Sequence, residues 1–157
     1  MLKVRLIWVG KTRQPFAKDG ASLYEKRLRP FLALECVELR AASHSGREDA
    51  VATMQESQAI LGKIGEGERV ILLDELGTGV SSRGLANWLS EAAKDAVPAL
   101  TFIIGGAYGV APAVRKRADR VLSLSKMTFP HQIVRLLLTE QLYRAATLNA
   151  GHGYHHD

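Results

Sequence analysis

Three runs in this 157-residue sequence have the residue types and spacing to do chemistry. The first is Gly105-Gly106-Ala107-Tyr108-Gly109, directly after an apolar, strand-like stretch. Glycines at a strand end remove side chains and let a ligand approach bare backbone. The second is Leu122-Ser123-Leu124-Ser125-Lys126-Met127-Thr128-Phe129-Pro130-His131, a polar turn that opens an apolar helix. Such a turn offers backbone donors and acceptors to the same ligand. The third is Gly151-His152-Gly153-Tyr154-His155-His156-Asp157. Together they read as one ligand site.

The spacing excludes several chemistries. The glycine run is not G-x-G-x-x-G, and Lys126, not an acid, stands where a ribose-binding carboxylate would be, so a dinucleotide oxidoreductase is disfavoured. No Gly-Lys-Ser/Thr loop for a triphosphate and no Gly-x-Ser-x-Gly elbow is present. His152, His155 and His156 have zinc-like spacing but no cysteine partner and only Asp157 as a nearby carboxylate. A frayed end and a substrate contact remain open for them. Ser123 and Ser125 read as hydrogen-bonding turn residues, His131 as structural, and His44 carries no signal.

The elements that must position these runs alternate strand and helix, which predicts an α/β fold with a mostly parallel sheet flanked by helices. Strands are expected at 3–9, 34–39, 69–73, 100–104 and 121–124. A helix over 15–29 would face inward with Phe16, Leu23, Tyr24 and Leu28, and one over 47–61 with Val51, Met54, Gln58 and Leu61. Ser81 and Ser82 offer caps for a helix ending at Lys94. In the last helix, 133–148, Ile133, Val134, Leu136, Leu137 and Leu138 leave almost no polar face. A helix apolar nearly all round needs cover on both sides, and a homodimer seam supplies it. A single domain over 1–157 is expected.

With 46% hydrophobic and 24% charged residues, the composition is that of a soluble globular protein rather than a disordered one. No apolar run approaches the roughly 20 residues that span a bilayer. Residues 1–9 alternate like a strand and lack a small-residue cleavage site, so a signal peptide is not expected. The single cysteine, Cys36, rules out an internal disulfide and reads as a small core filler. These features predict a cytoplasmic protein. The net charge is +5, with Lys3, Arg5, Lys11, Arg13 and Lys18 all preceding the first acid, Asp19. Arg115-Lys116-Arg117 and Arg120 follow the glycine run. Clusters of this kind suit nucleic acid.

Taken in order, Ile104 to Gly109, Leu122 to His131, Val134-Arg135, Glu140-Gln141-Leu142-Tyr143-Arg144-Ala145 and Tyr154-His155-His156 resemble the bacterial 23S rRNA pseudouridine N3-methyltransferases of the knotted SPOUT class. Val9-Gly10-Lys11, Tyr24 to Leu28, Leu73-Asp74 and Ser81 to Ala86 fit as well, so the resemblance covers essentially the full chain. It implies a C-terminal trefoil knot, an exception to the rule that chains do not knot. It also implies a homodimer that binds S-adenosylmethionine and methylates N3 of the pseudouridine at position 1915 of 23S rRNA within the ribosome, with no metal and no membrane. Carried over by motif, Leu73, Gly105, Leu124, Ser125, Lys126, Met127, Thr128 and Phe129 are the expected cofactor contacts. Arg144, Tyr154, His155 and His156 are the expected substrate contacts, with Arg135 a further candidate. No residue is assigned as general base, and catalysis by positioning is expected. A non-catalytic RNA-binding module is the alternative from another class.

Overall fold

A computed structural model describes residues 1–45 and 49–157. Among them strands and helices alternate as β1 (Lys3–Val9), α1 (Pro15–Leu28), β2 (Ala33–Leu39), α2 (Ala50–Lys63), β3 (Arg69–Gly79), α3 (Ser82–Lys94), β4 (Leu100–Ile104), α4 (Pro112–Arg117), β5 (Arg120–Ser123) and α5 (His131–Asn149). The strands form one parallel sheet in the order β2-β1-β4-β3-β5. Parallel neighbours need long crossovers, and here helices supply them.

Side chains alternate across a strand, so each strand feeds two cores. On one face Leu6, Phe102 and Ile104 meet Leu28 of α1, Leu89 of α3 and Leu138 and Leu142 of α5. On the other, Ile7, Val9, Leu72 and Ile103 meet Ile60 of α2 and Val114 of α4. α5 packs against both α1 and α3.

Several expectations are corrected. The start of the second helix at Arg47 lies outside the described residues. Its buried face is Ala52, Glu56, Ser57 and Ile60, whereas Val51 and Met54 are exposed. The buried polar groups brace loops: Ser57 Oγ accepts from Ala111 N–H at 2.8 Å. In α1 the inward residues are Ala17, Ala21 and Leu28, and Phe16 and Leu23 face outward. Small residues let α1 approach α5 closely. Cys36 is no core filler, because β2 is an edge strand and leaves it exposed.

β3 is longer than its apolar run because it leaves the sheet and returns. Leu73 and Thr78 both pair with Leu122, so residues 74–77 bulge toward the loops above the sheet. The bulge needs glycine at its closest approach: a Cβ on Gly77 would lie 2.6 Å from the Val121 carbonyl oxygen. Gly79, with nothing within 4 Å, is the internal control. Gly77→Ala should destabilise the fold by about 1–3 kcal/mol, as overpacking does. Gly79→Ala should change the urea unfolding midpoint far less, and equal midpoints for the two variants would show that the bulge tolerates a side chain.

Candidate active site

The carboxyl ends of parallel strands, where an open α/β sheet binds ligands, are framed here by the β3 bulge, the glycine run and the loop before α5. A cavity of about 260 Å³ lies among them. Leu73, Gly105, Leu124, Ser125, Met127, Thr128 and Phe129 all line it, together with Leu72, Ile104, Leu122 and Val134. Lys126, expected with them, is exposed and does not line the cavity. The loop is self-braced: Ser123 Oγ donates to the Ser125 carbonyl at 2.7 Å, Met127 N–H donates to Ser125 Oγ at 3.0 Å, and Thr128 Oγ1 donates to Glu75. Asp74 is engaged by Leu76 N–H at 2.8 Å and by Arg115. What remains is an apolar slot edged by backbone polar groups, which suits an adenine ring.

His131 begins α5 and lines this cavity. Burial, and then the Arg135 cation, hold its pKa below the ordinary histidine value, against an opposing pull from the Glu56 carboxylate. Arg135 itself is 1% exposed. Its Nη2 donates to the Val9 carbonyl and its Nη1 to Thr12 Oγ1, both at 2.8 Å, and its guanidinium lies 5.2 Å from the Trp8 ring centroid. Burial lowers its pKa to about 10, so it stays charged at neutral pH. Arg135 thus ties the start of α5 to the end of β1 and the loop beyond it. Gln132 adds to it, its Oε1 accepting the N–H groups of Arg13 and Gln14 at 2.8 and 2.9 Å.

Arg144, Tyr154 and His155 gather at the other end of α5. Arg144 pairs with Glu140 at 2.5 Å, and Tyr154 donates to the same carboxylate at 3.2 Å while packing edge-on against Tyr143. His155 bridges Arg144 at 3.3 Å and Asp157 at 2.8 Å, and Asp157 in turn meets Arg83 at 2.5 Å. Arg144 can only donate, so Nδ1 of His155 is the acceptor and Nε2–H the donor to Asp157. The terminal segment is docked rather than frayed, and only His156 among the four expected substrate contacts Arg144, Tyr154, His155 and His156 stands exposed. Arg144 lies about 20 Å along the helix from His131, at about 1.5 Å per residue. One chain does not bring the two groups of expected site residues together.

Charges sort in a way their sequence positions do not reveal. Arg115, Arg117 and Arg120 pair with Asp74, Asp119 and Glu91, and Lys3 and Arg5 pair with Glu35 and Glu68. Among the described residues Lys11, Arg13, Lys18 and Arg40 form no ion pair. Glu56 and His44, which line a neighbouring cleft together with Gly106 and His131, were not expected there. The available signal was that Glu56 shares a four-residue register with Ala52 and Ile60, the buried line of α2.

The family model described as "Predicted SPOUT methyltransferase" matches residues 2–155. The chain is 41% identical over 155 residues to the Ribosomal RNA large subunit methyltransferase H of Geobacter metallireducens, covering 99% of each. Proteins of the same name from Geobacter sulfurreducens and Streptococcus thermophilus are 42% identical over 155 residues and 40% over 158. Those matches cover 99% and 98% of this chain and 100% and 99% of the relatives. A crystal structure of a probable methyltransferase from Bordetella pertussis Tohama I is 12% identical, covers 92% of this chain and 96% of that one, and has a TM-score of 0.50. That last likeness concerns the fold alone.

The lowered pKa of His131 has a measurable sign. The unfolded chain takes up a proton near the ordinary value of about 6.5, where folded His131 still refuses it. Its contribution to stability is thus present above that value and lost as pH falls through the lower, folded one. His131→Asn should flatten the decline in urea unfolding midpoint below about pH 6.5. An unchanged slope would assign the decline to other groups.

Proposed function

The chain belongs to the SPOUT methyltransferase family, and on that premise we propose that it transfers a methyl group from S-adenosylmethionine to N3 of the pseudouridine at position 1915 of 23S rRNA, in the ribosome and hence in the cytoplasm. The observation that carries this reading is the apolar cavity at the strand ends, which gathers Leu73, Gly105 and most of the 124–129 loop. Leu73, Leu124 and Phe129 would hold the adenine ring, and backbone groups from Gly105 to Thr128 would read its edge. When bound, the cofactor supplies an electrophilic methyl group on a sulfonium.

Residues 1–157 would act as one domain, with the knot formed where the segment after β5 turns back into α5. The chain would work as a homodimer. The spread of the expected site residues along α5 supports this, because a second copy lying antiparallel would carry Arg144, Tyr154, His155 and His156 to the cofactor end of the first. Phe16, 55% exposed, and Leu23, 45% exposed, give such a seam apolar surface on α1. Methyl transfer breaks the sulfonium S–CH3 bond, leaving S-adenosylhomocysteine, and the weakly acidic N3–H would give its proton to solvent water, while holding N3 in line with the donor carbon lowers the barrier. The cationic Arg144 would favour the anion formed as the proton leaves.

Calorimetry with S-adenosylmethionine and S-adenosylhomocysteine tests the reading, and a folded dimer that binds neither would end it. A Cβ on Gly105 would lie 2.9 Å from Val110 Cγ1 and 3.3 Å from Gly109 backbone. Gly105→Val should therefore weaken cofactor binding by about tenfold or more while the dimer persists by light scattering. Unchanged affinity would remove Gly105 from the site. Deleting 154–157 should lower methylation of ribosomes far more than cofactor affinity, whereas equal losses would mean that this segment builds the cofactor pocket.

A further inference from the structure

Beside the cofactor pocket lies a second cleft of about 880 Å³, and Gly106 and His131 line both. The rim of this cleft carries Lys11, Arg13 and Arg40, the cations left without ion pairs among the described residues nearby. Tyr108 is 42% exposed there and packs against His44 at 4.7 Å between ring centroids. Glu56 reaches the cleft from α2 although it is only 5% exposed. Its Oε2 accepts from Ala42 N–H at 3.0 Å and lies 3.3 Å from His44 Nε2, which braces the loop after β2. Its Oε1 has no hydrogen-bond partner among the described residues. A buried carboxylate oxygen left in that state is costly unless a ligand brings a donor. Glu38, also in the cleft, is already engaged by Trp8 Nε1–H at 3.2 Å. Bare backbone faces the free oxygen: a Cβ on Gly106 would lie 3.2 Å from Glu56 Oε1.

Unpaired cations suit a phosphate, an exposed aromatic face suits a stacked base, and a buried carboxylate oxygen without a partner suits one N–H; His44 Nδ1, in the same cleft, is likewise without a partner among the described residues. Building on the methyl-transfer reading above, we infer that this cleft holds the target nucleotide out of its stack, with Glu56 Oε1 accepting the N1–H of pseudouridine. Bases that undergo chemistry are taken out of the stack in this manner. The choice of N1 follows from the base. N3 must face the donor in the neighbouring pocket, and the N–H then left over is N1–H, which uridine lacks because its N1 carries the ribose. Glu56 thus determines specificity for pseudouridine over uridine. An analogue without the donor leaves the buried acceptor unpaired and is rejected.

The test compares methyl transfer by the wild-type protein to ribosomes carrying pseudouridine, uridine or N1-methylpseudouridine at the target position. Both analogues should react about a hundredfold more slowly or worse, and an equal rate on either overturns the inference. In Glu56→Gln the amide oxygen must accept from Ala42 N–H, which leaves the NH2 where Oε1 stood and turns an acceptor into a donor at constant shape. On pseudouridine, kcat/KM should fall roughly tenfold to a hundredfold. The preference over uridine should close by a similar factor, with S-adenosylmethionine affinity kept within about threefold by calorimetry. A uniform fall on both substrates, or a matching loss of cofactor affinity, makes Glu56 a loop brace only and overturns the inference. If the variant does not fold, the wild-type comparison still decides. A wild-type protein that binds no cofactor and methylates no pseudouridine overturns this inference together with the function it rests on.

Discussion

Arg135 is a buried cation with no ion pair among the described residues, and the arrangement of the site depends on it. Removing a guanidinium from water is unfavourable unless its hydration is replaced. Here the Val9 carbonyl, Thr12 Oγ1 and the face of Trp8 replace much of it, and Nε is left without a hydrogen-bond partner among the described residues. These partners belong to the end of the first strand and the loop beyond it, while Arg135 belongs to the first turns of the last helix. The tether therefore fixes where α5 begins relative to the sheet. That in turn decides where the loop ending at Pro130 lies, and with it the walls of the cavity at the strand ends. Gln132 caps the start of α1 from the same turn, so the two helices are locked at one end by complementary polar contacts.

From this anchor α5 acts as a ruler. Its beginning lines the cavity at the strand ends, and its far end carries Glu140, Arg144 and the docked terminal segment. Rigid helical geometry keeps these groups apart within one chain, which makes a second copy the economical way to unite them. The opposite side of the sheet contributes differently. α2 turns an acid and a serine inward rather than leucines, and both engage loops at the strand ends. The core on that face is thus partly given over to holding loops in place.

The alternation of strands and helices was legible because burial on both faces imposes apolar runs on central strands such as Leu100–Ile104. Most of the residues that line the cavity at the strand ends were legible too, since they occupy two short continuous motifs. The helix faces were not. Phe16, Leu23, Val51 and Met54 are apolar, yet they point outward because α1 approaches α5 through alanines and α2 uses its inner face for polar bracing. The basic clusters were also ambiguous. Arg115, Arg117 and Arg120 proved to be paired, whereas Lys11, Arg13 and Arg40, beside the strand ends, form no ion pair among the described residues.

The sequence by itself determined the layered parallel architecture and the family, because both rest on local order along the chain: periodicity in one case, motif succession in the other. Only the tertiary structure decided that Glu56 keeps a free oxygen beside Gly106, that Arg135 is a tether, and that the terminal histidines lie far from the cavity. Those outcomes depend on which groups from distant segments meet, on how close their backbones come and on which charges lose water. Spacing along a chain carries no record of these.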